Sequence, residues 1–442
     1  MTIAPSRPAT DTAAETLQPL VDALLPRGLP LAIRCWDGSA IGPESPAATI
    51  VVNSPDAIRR LMWAPNELGF GRAYVAGEID VEGDLFGALA ARENLAEDDN
   101  GATLGLGAGG WQRAAAAAIR LGVLGPPPPA PAEESRLRGR RHSPQRDRAA
   151  ISYHYDISND FYRMLLGPSL TYSCAYFTRE DSTLEEAQAA KYDLICRKLG
   201  LEPGMRLLDV GCGWGGMVMH AVRHYGVEAV GVTISDRQAE LATERVADAE
   251  LSDRVQIRLR DYREIHDGPY DAISSIGMFE HVGMPRLAEY FERLYSLLRP
   301  TGRLLNHAIS RPSGRSRFAR HSFVERYVFP DGELHEVGSV VSAMQQQRFE
   351  VRDVESLREH YAFTLRAWLR NLEADWDTAQ RLVGPARARV WRLYIGAAAL
   401  NFEAGRSSIH QVLGVKPDAD GHSGMRRTRA EMLSDRDATV PR

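Results

Sequence analysis

The chain has 442 residues, 44% of them hydrophobic, which excludes a disordered polypeptide and leaves room for two domains. A formal net charge of -5 excludes the net basic field of a general nucleic-acid binder, so an anionic partner would have to be met by a local patch. Cys35, Cys174, Cys196 and Cys212 lack the short spacing beside histidines that encloses zinc, so no metal site is expected and a reducing cytoplasm is the expected home.

In chain order, residues 1–95 mix short strand-like runs with helix signals and read as a small α+β domain. Ala48 to Val52 is a strand, and Ser54, Pro55 and Asp56 before Ile58, Leu61 and Met62 are a capped helix start. Residues 101–110 are glycine-rich, 111–124 alanine-rich and helical, and Pro126 to Pro129 cannot continue a helix, so 96–150 is expected to be a linker. Arg136, Arg138, Arg140, Arg141, Arg146 and Arg148 make its end the most basic local stretch. A solvated linker face and docking on anionic headgroups, at about 1 kcal/mol per basic residue, are both open for it.

From Met205 the pattern alternates apolar runs with amphipathic helices, the signature of an α/β fold with a mostly parallel, doubly wound sheet. Strands are expected at 206–210, 229–233, 255–260, 271–276 and 303–309. Leu287, Tyr290, Phe291, Leu294, Leu297 and Leu298 recur at helical spacing and are core, with Pro300 and Gly302 closing that element. Residues 416–442 form a polar tail expected to fray. The N-terminus has neither a basic start nor an apolar run, and nothing later reaches spanning length, so a lipid substrate would be approached from the membrane surface.

The run Leu207-Leu208-Asp209-Val210-Gly211-Cys212-Gly213-Trp214-Gly215-Gly216 is a buried strand entering a glycine turn and then a helix. Glycines let a ligand approach the backbone, and the helix start offers free N–H groups. The order G-x-G-x-G-G, and a second strand ending Gly231-Val232-Thr233 without an acid for a ribose diol, favour S-adenosylmethionine over a nicotinamide cofactor. The run is similar to the first signature of Rossmann-like class I methyltransferases, most of which do carry that acid.

Tyr153-His154-Tyr155-Asp156-Ile157-Ser158-Asn159-Asp160-Phe161-Tyr162 and Leu170-Thr171-Tyr172-Ser173-Cys174-Ala175-Tyr176-Phe177 resemble the cyclopropane fatty acid synthase and mycolic acid methyltransferase family. So do Gly231-Val232-Thr233-Ile234-Ser235-Asp236-Arg237-Gln238 and Ser275-Ile276-Gly277-Met278-Phe279-Glu280-His281-Val282-Gly283, and the resemblance covers residues 151–415. Gly71-Arg72-Ala73-Tyr74-Val75-Ala76-Gly77-Glu78-Ile79-Asp80 resembles the lipid-binding N-terminal domain of bacterial cyclopropane synthases. The mycolic acid enzymes lack that domain, so the resemblance implies a phospholipid substrate.

The resemblance implies that Tyr172, Ser173, Gly211, Gly213, Thr233 and Gln238 line the cofactor, with Asp261 and Tyr262 near its adenine. It also implies that Cys174, Glu280, His307, Ile309 and Tyr361 cradle a bicarbonate ion. Plainer readings stand beside these: Ser173 and Thr233 as turn or cap residues, His307 as a satisfied core residue, Tyr361 as packing, Cys174 as a small buried hydrophobe. Ala398, where many family members carry a cysteine, excludes a covalent role there.

An alkene is a weak nucleophile, so such an enzyme needs an electrophilic methyl, a dry aligned slot, aromatic faces for the developing cation and a base for the departing proton. Proton loss from the new methyl closes a cyclopropane, whereas a hydride shift before that loss leaves a methylene. Phe329-Pro330-Asp331-Gly332-Glu333-Leu334-His335 resembles the branch making methyl-branched stearate of the tuberculostearate type. The expectation is therefore a 10-methylene product from an oleoyl-like phospholipid chain, saturated by a separate reductase, with a cyclopropane as the alternative. The enzyme would sit on the inner face of the membrane, as a homodimer by family analogy. A headgroup methyltransferase and a non-catalytic lipid binder are the rival classes.

Overall fold

A computed structural model describes residues 11–24, 31–91, 108–135, 157–314 and 322–434, with 143, 146, 147, 150, 151 and 153. The chain divides into two compact units, Met1–Glu134 with Ala319–Val328 and Gly384–Ala397, and Ser135–Phe318 with Phe329–Val383 and Ala398–Arg442.

The first unit holds a four-stranded sheet in the order β2-β1-β3-β4, built from β1 (Ala32–Arg34), β2 (Ala40–Ile41), β3 (Ala48–Val52) and β4 (Ile79–Gly83). β1 and β3 are parallel and the other pairs antiparallel. Helix α1 (Ala13–Leu24) precedes the sheet, and α2 (Pro55–Trp63), α3 (Glu67–Val75) and α4 (Leu85–Ala90) follow β3. Ser54 caps α2 by accepting the Asp56 N–H at 3.1 Å, with Pro55 in the first turn, where its missing N–H costs nothing.

The 71–80 motif turns out to be the hub of this unit. A Cβ at Gly71 would lie 2.3 Å from the Phe323 ring, so only glycine lets that ring close on the helix. Arg72 holds Glu134 through two bonds of 2.7 and 2.8 Å, buried Tyr74 accepts from Arg392 at 2.9 Å, and Asp80 accepts from Arg389 at 2.5 Å. Glu78 takes the buried Arg60 guanidinium at 2.6 and 2.9 Å. Breaking a buried pair leaves a charge uncompensated, so Glu78→Ala is expected to cost about 3 kcal/mol, read as a lower urea midpoint at unchanged slope.

The linker expected at 96–150 is shorter than the composition suggests. Helix α5 (Ala108–Arg120) buries Ala114, Ala117 and Ala118 and packs on α1. The proline run behind it is strapped down: Arg60 donates to the Pro129 carbonyl at 3.0 Å and Trp63 to that of Gly125 at 2.9 Å. The helix was expected, at 111–124, but as part of a linker; its small side chains are what allow it to approach α1 closely. Arg136, Arg138, Arg140, Arg141 and Arg148 lie outside the described residues; Arg146 is an internal partner of Asp331, at 2.8 Å from Nη2.

The second unit is a seven-stranded sheet in the order β10-β11-β9-β8-β5-β6-β7. Strands β5 (Arg206–Val210), β6 (Glu228–Thr233), β7 (Val255–Leu259), β8 (Tyr270–Ile276) and β9 (Leu298–Ser310) run parallel. The order reverses between β5 and β8, so their carboxyl ends flank the crevice where open α/β sheets take ligands. β10 (Glu350–Ser356) and β11 (Ser408–Val415) pair antiparallel at the far edge and were not anticipated. β9 also starts earlier than expected: the chain passes from helix Leu287–Leu297 straight into strand, with Thr301 at φ +63 where the register against β8 shifts.

The tail is a second correction. Through Ser434 it is docked: Lys416 donates to the Leu298 carbonyl at 2.6 Å, Met432 is buried, and Arg429 pairs with Asp353 at 3.1 Å and Glu355 at 2.9 Å. Those carboxylates also hold the fully buried Lys198, at 3.0 and 2.5 Å. The tail is polar because it answers charges on the sheet, which composition alone cannot reveal. Among the described residues, no helix is long and apolar enough to cross a membrane.

Candidate active site

β5 ends in a loop whose Gly211, Gly213 and Gly215 take φ of +78, +54 and +81, a left-handed region that favours glycine. Helix Gly216–Tyr225 then begins without a side-chain cap, leaving its first N–H groups for a ligand. Two further glycines let the surroundings close in. A Cβ at Gly231 of β6 would lie 2.9 Å from the Cys212 sulfur, and one at Gly216 would lie 2.4 Å from the Tyr192 hydroxyl.

The cavity beside this loop is lined by all eight residues expected at a cofactor, Tyr172, Ser173, Gly211, Gly213, Thr233, Gln238, Asp261 and Tyr262. Thr233 donates to Gln238 Oε1 at 2.8 Å and accepts the Ser235 N–H at 3.2 Å, so it is a turn residue as well as a lining one. Asp261 accepts the backbone and side-chain N–H of Arg263, at 3.0 and 2.9 Å. Burial holds the Tyr262 phenol well above its ordinary range.

The sequence reading missed Lys191 and Tyr192, and it placed no role on Asp209, though all three line the cavity. Lys191 sits in helix Leu184–Leu199 four residues from Ala187 and four from Ile195, both buried. A lysine in an apolar stripe was the available signal. It donates to Ser173 Oγ at 2.9 Å, and Tyr192 shares a 2.8 Å bond with Thr171. Asp209 accepts the Ser274 hydroxyl at 2.6 Å, and burial pushes its carboxyl up to about 6.

None of the five residues expected to cradle bicarbonate lines this cavity, yet Cys174 follows Ser173, and Glu280 stands between Met278 and His281, which do line it. Short contacts join Glu280 to Ile309 and tie Cys174 and Tyr361 to one Leu357 carbonyl, while His307 stands two residues before Ile309 on β9. β8 stops at Ile276, so the Ile309 N–H extends past its neighbour and donates to Glu280 Oε1 at 2.7 Å. Among the described residues Glu280 Oε2 is buried without a hydrogen-bond partner, and burial raises this carboxyl to about 7. His307 faces Gln411 across β9 and β11, its Nδ1 3.2 Å from the Gln411 amide nitrogen. With the Gln411 amide nitrogen facing it, Nδ1 accepts, and Nε2, buried without a partner among the described residues, carries the ring proton. Burial first, and then the nearby Lys191 and Lys198 cations, hold His307 neutral.

The Cys174 thiol donates to the carbonyls of Ala175 at 3.2 Å and Leu357 at 3.7 Å, and burial drives its ionisation far up. It is a packed thiol rather than a reactive one. Tyr361 lies inside helix Arg358–Ala374; its N–H bonds the same Leu357 carbonyl at 3.1 Å, and its ring meets Phe402 and Trp368.

An aromatic wall links the two sets. Tyr172 stacks on Trp368 with ring centroids 5.1 Å apart and faces Phe329 at 6.5 Å and Tyr162 at 6.0 Å, and Tyr162 leans on Trp214 at 4.8 Å. The 329–335 motif reaches the acid through the backbone, as Glu333 donates to the Glu280 carbonyl at 3.0 Å. The arrangement places stacked aromatic faces, the buried Glu280 acid and the neutral His307 imidazole beside the glycine-loop cavity.

The family model for mycolic acid cyclopropane synthetase matches residues 142–412. The chain is 41% identical over 415 residues to the probable fatty acid methyltransferase Rv3720 of Mycobacterium tuberculosis, covering 90% of this chain and 93% of that protein. It is 40% identical to a probable fatty acid methyltransferase of Pseudomonas putida, covering 94% and 99%. Among solved structures, the cyclopropane synthase MmaA2 of M. tuberculosis superposes with a TM-score of 0.58 at 34% identity, over 60% of this chain and 98% of that one. The mycolic acid cyclopropane synthase CmaA1, solved with SAH and CTAB, gives 0.57 at 38% identity, over 60% and 97%.

Proposed function

The chain belongs to the mycolic acid cyclopropane synthetase family, and from that premise we propose that it methylates the cis double bond of an unsaturated acyl chain carried on a phospholipid. The relatives matching nearly the whole chain bear the name fatty acid methyltransferase, whereas cyclopropane mycolic acid synthase 1 of M. tuberculosis aligns with 60% of it. The additional N-terminal unit supports a substrate met at the membrane surface. The observation carrying the proposal is the buried, half-partnered carboxyl of Glu280 beside a glycine-loop cavity walled by aromatic rings.

S-adenosylmethionine bound in the cavity would supply a methyl group already activated as part of a sulfonium. Gly211 and Gly213 would let it approach the backbone, Thr233 and Gln238 edge the cavity, and Tyr172 with Trp368 and Phe329 would exclude water and face the positive charge developing on the former alkene carbon. The two unpartnered atoms, Glu280 Oε2 and His307 Nε2–H, suit a bicarbonate ion, which is both acceptor and donor and would supply the proton acceptor. His307 would donate to its oxygen and Glu280 would accept from its hydroxyl. Ile309 serves at one remove, since its N–H fixes Glu280. The proposed product is the 10-methylene chain, left to a separate reductase for saturation, with a cyclopropane as the alternative exit.

Because the carboxylate is the accepting form of Glu280, and its folded value is raised to about 7, turnover is expected to climb as pH rises through neutrality. Initial rates over that window check this, and a Glu280→Gln variant should lack that limb. Incubating the protein with labelled S-adenosylmethionine and dioleoyl phospholipid vesicles, followed by proton NMR of the acyl esters, tests the reading. Vinylic methylene protons support it, ring protons support the alternative, and label confined to the headgroup refutes both.

A further inference from the structure

Helix Leu184–Leu199 buries two lysines completely, and the chain treats them differently. Lys198 has two carboxylates, Asp353 at 3.0 Å and Glu355 at 2.5 Å. Lys191 has no carboxylate within ion-pair distance among the described residues. Its only hydrogen bond there is to Ser173 Oγ at 2.9 Å, and its ammonium lies 3.9 Å from the centre of the Tyr192 ring. Burying an ammonium with only a hydroxyl and a ring costs several kcal/mol, and the side chain answers in part by losing its proton more readily, down to about 7. Both Lys191 and Ser173 line the glycine-loop cavity.

We propose that Lys191, with the Ser173 hydroxyl it holds, is the recognition pair for the carboxylate of the cofactor's amino-acid end. Because Lys191 donates to Ser173 Oγ, the serine hydrogen is released to donate elsewhere. An ammonium and a hydroxyl side by side form a two-donor cradle for a carboxylate. Asp209 lines the same cavity beyond ion-pair distance of Lys191, and the two charges act on each other across it. The cavity therefore keeps one charge of each sign for its ligand, as a zwitterionic amino-acid group requires. The inference rests on the proposed use of S-adenosylmethionine and names the residue that selects its charged end.

The test compares two ligands by calorimetry on the full chain: S-adenosylhomocysteine, which carries the amino-acid end, and 5′-methylthioadenosine, which lacks it. Lys191→Met is expected to weaken S-adenosylhomocysteine by on the order of 10- to 100-fold and to leave methylthioadenosine within about 3-fold, with Lys191→Arg recovering part of the loss. Equal weakening of both ligands would assign Lys191 a packing role and overturn the proposal, as would no weakening of either. So would a variant that keeps S-adenosylhomocysteine affinity but needs more bicarbonate for turnover, since the anion met by Lys191 would then be bicarbonate. If Lys191→Met does not fold, Lys191→Gln carries the same comparison. Wild-type protein that binds neither ligand would refute the cofactor assignment itself, and a wild type that binds both with an unselective variant refutes this inference alone.

Discussion

Glu280→Gln is expected to lower the turnover number by about 100-fold or more while leaving S-adenosylhomocysteine affinity within about 2-fold. The amide keeps an oxygen to accept the Ile309 N–H, so the loop stays anchored, but it places an NH2 where Oε2 stood and cannot accept a proton. The glycine-loop cavity proposed for the cofactor is lined by other residues, which is why binding should survive. Stability gives a second readout. Burial raises the folded value of this acid to about 7 from an ordinary 4.5, so its favourable contribution is complete below the lower figure and is lost as pH rises through the upper one. Above neutrality the glutamine variant should therefore unfold at a higher temperature than the wild type. An enzyme less stable with its native acid than without it is holding that acid for chemistry. A variant that turns over normally would remove Glu280 from the proton path.

Gly213→Val is the second large effect. The glycine sits at φ +54, and a Cβ built there meets no atom of the described residues within 4 Å apart from its own chain neighbours. The added side chain would therefore point into space that the protein itself leaves open, beside the cavity. The strain of a β-branched residue in the left-handed region costs about 1–2 kcal/mol of stability. The loss of cofactor affinity should be much larger, about 100-fold, because the valine displaces the ligand rather than the fold. Calorimetry and urea unfolding on one preparation separate the two. A drop in stability large enough to explain the lost binding would make the glycine structural only.

The central sheet was legible because parallel strands buried on both faces read as apolar runs, and β5 to β8 fall within a residue or so of where the pattern places them. β11 was missed although Ile409, Val412, Leu413 and Val415 are buried, since Ser408, His410 and Gln411 interrupt the run. Gln411 is polar for a reason that only the folded sheet discloses, namely the imidazole of His307 across the strand pair. The family resemblance named eight residues as a set for the expected cofactor, and the fold gathers them around one cavity. It could not supply Lys191, which has no carboxylate within ion-pair distance among the described residues, while Lys198, two turns along the same helix face, has two. It also could not foresee that the Ile309 N–H, cut loose by the end of β8, would be spent on Glu280. Contacts made by backbone groups beyond a strand end leave no trace in residue type.

The most direct measurement uses S-adenosylmethionine carrying a trideuterated methyl group, unsaturated phospholipid vesicles and mass spectrometry of the released acyl esters. If the methyl joins a double-bond carbon and a base then removes one of its hydrogens, the acyl product retains two of the three deuterium atoms, whichever of the two products forms. A product that keeps all three, on the acyl chain or on the headgroup, or acyl chains left without label, would contradict the account.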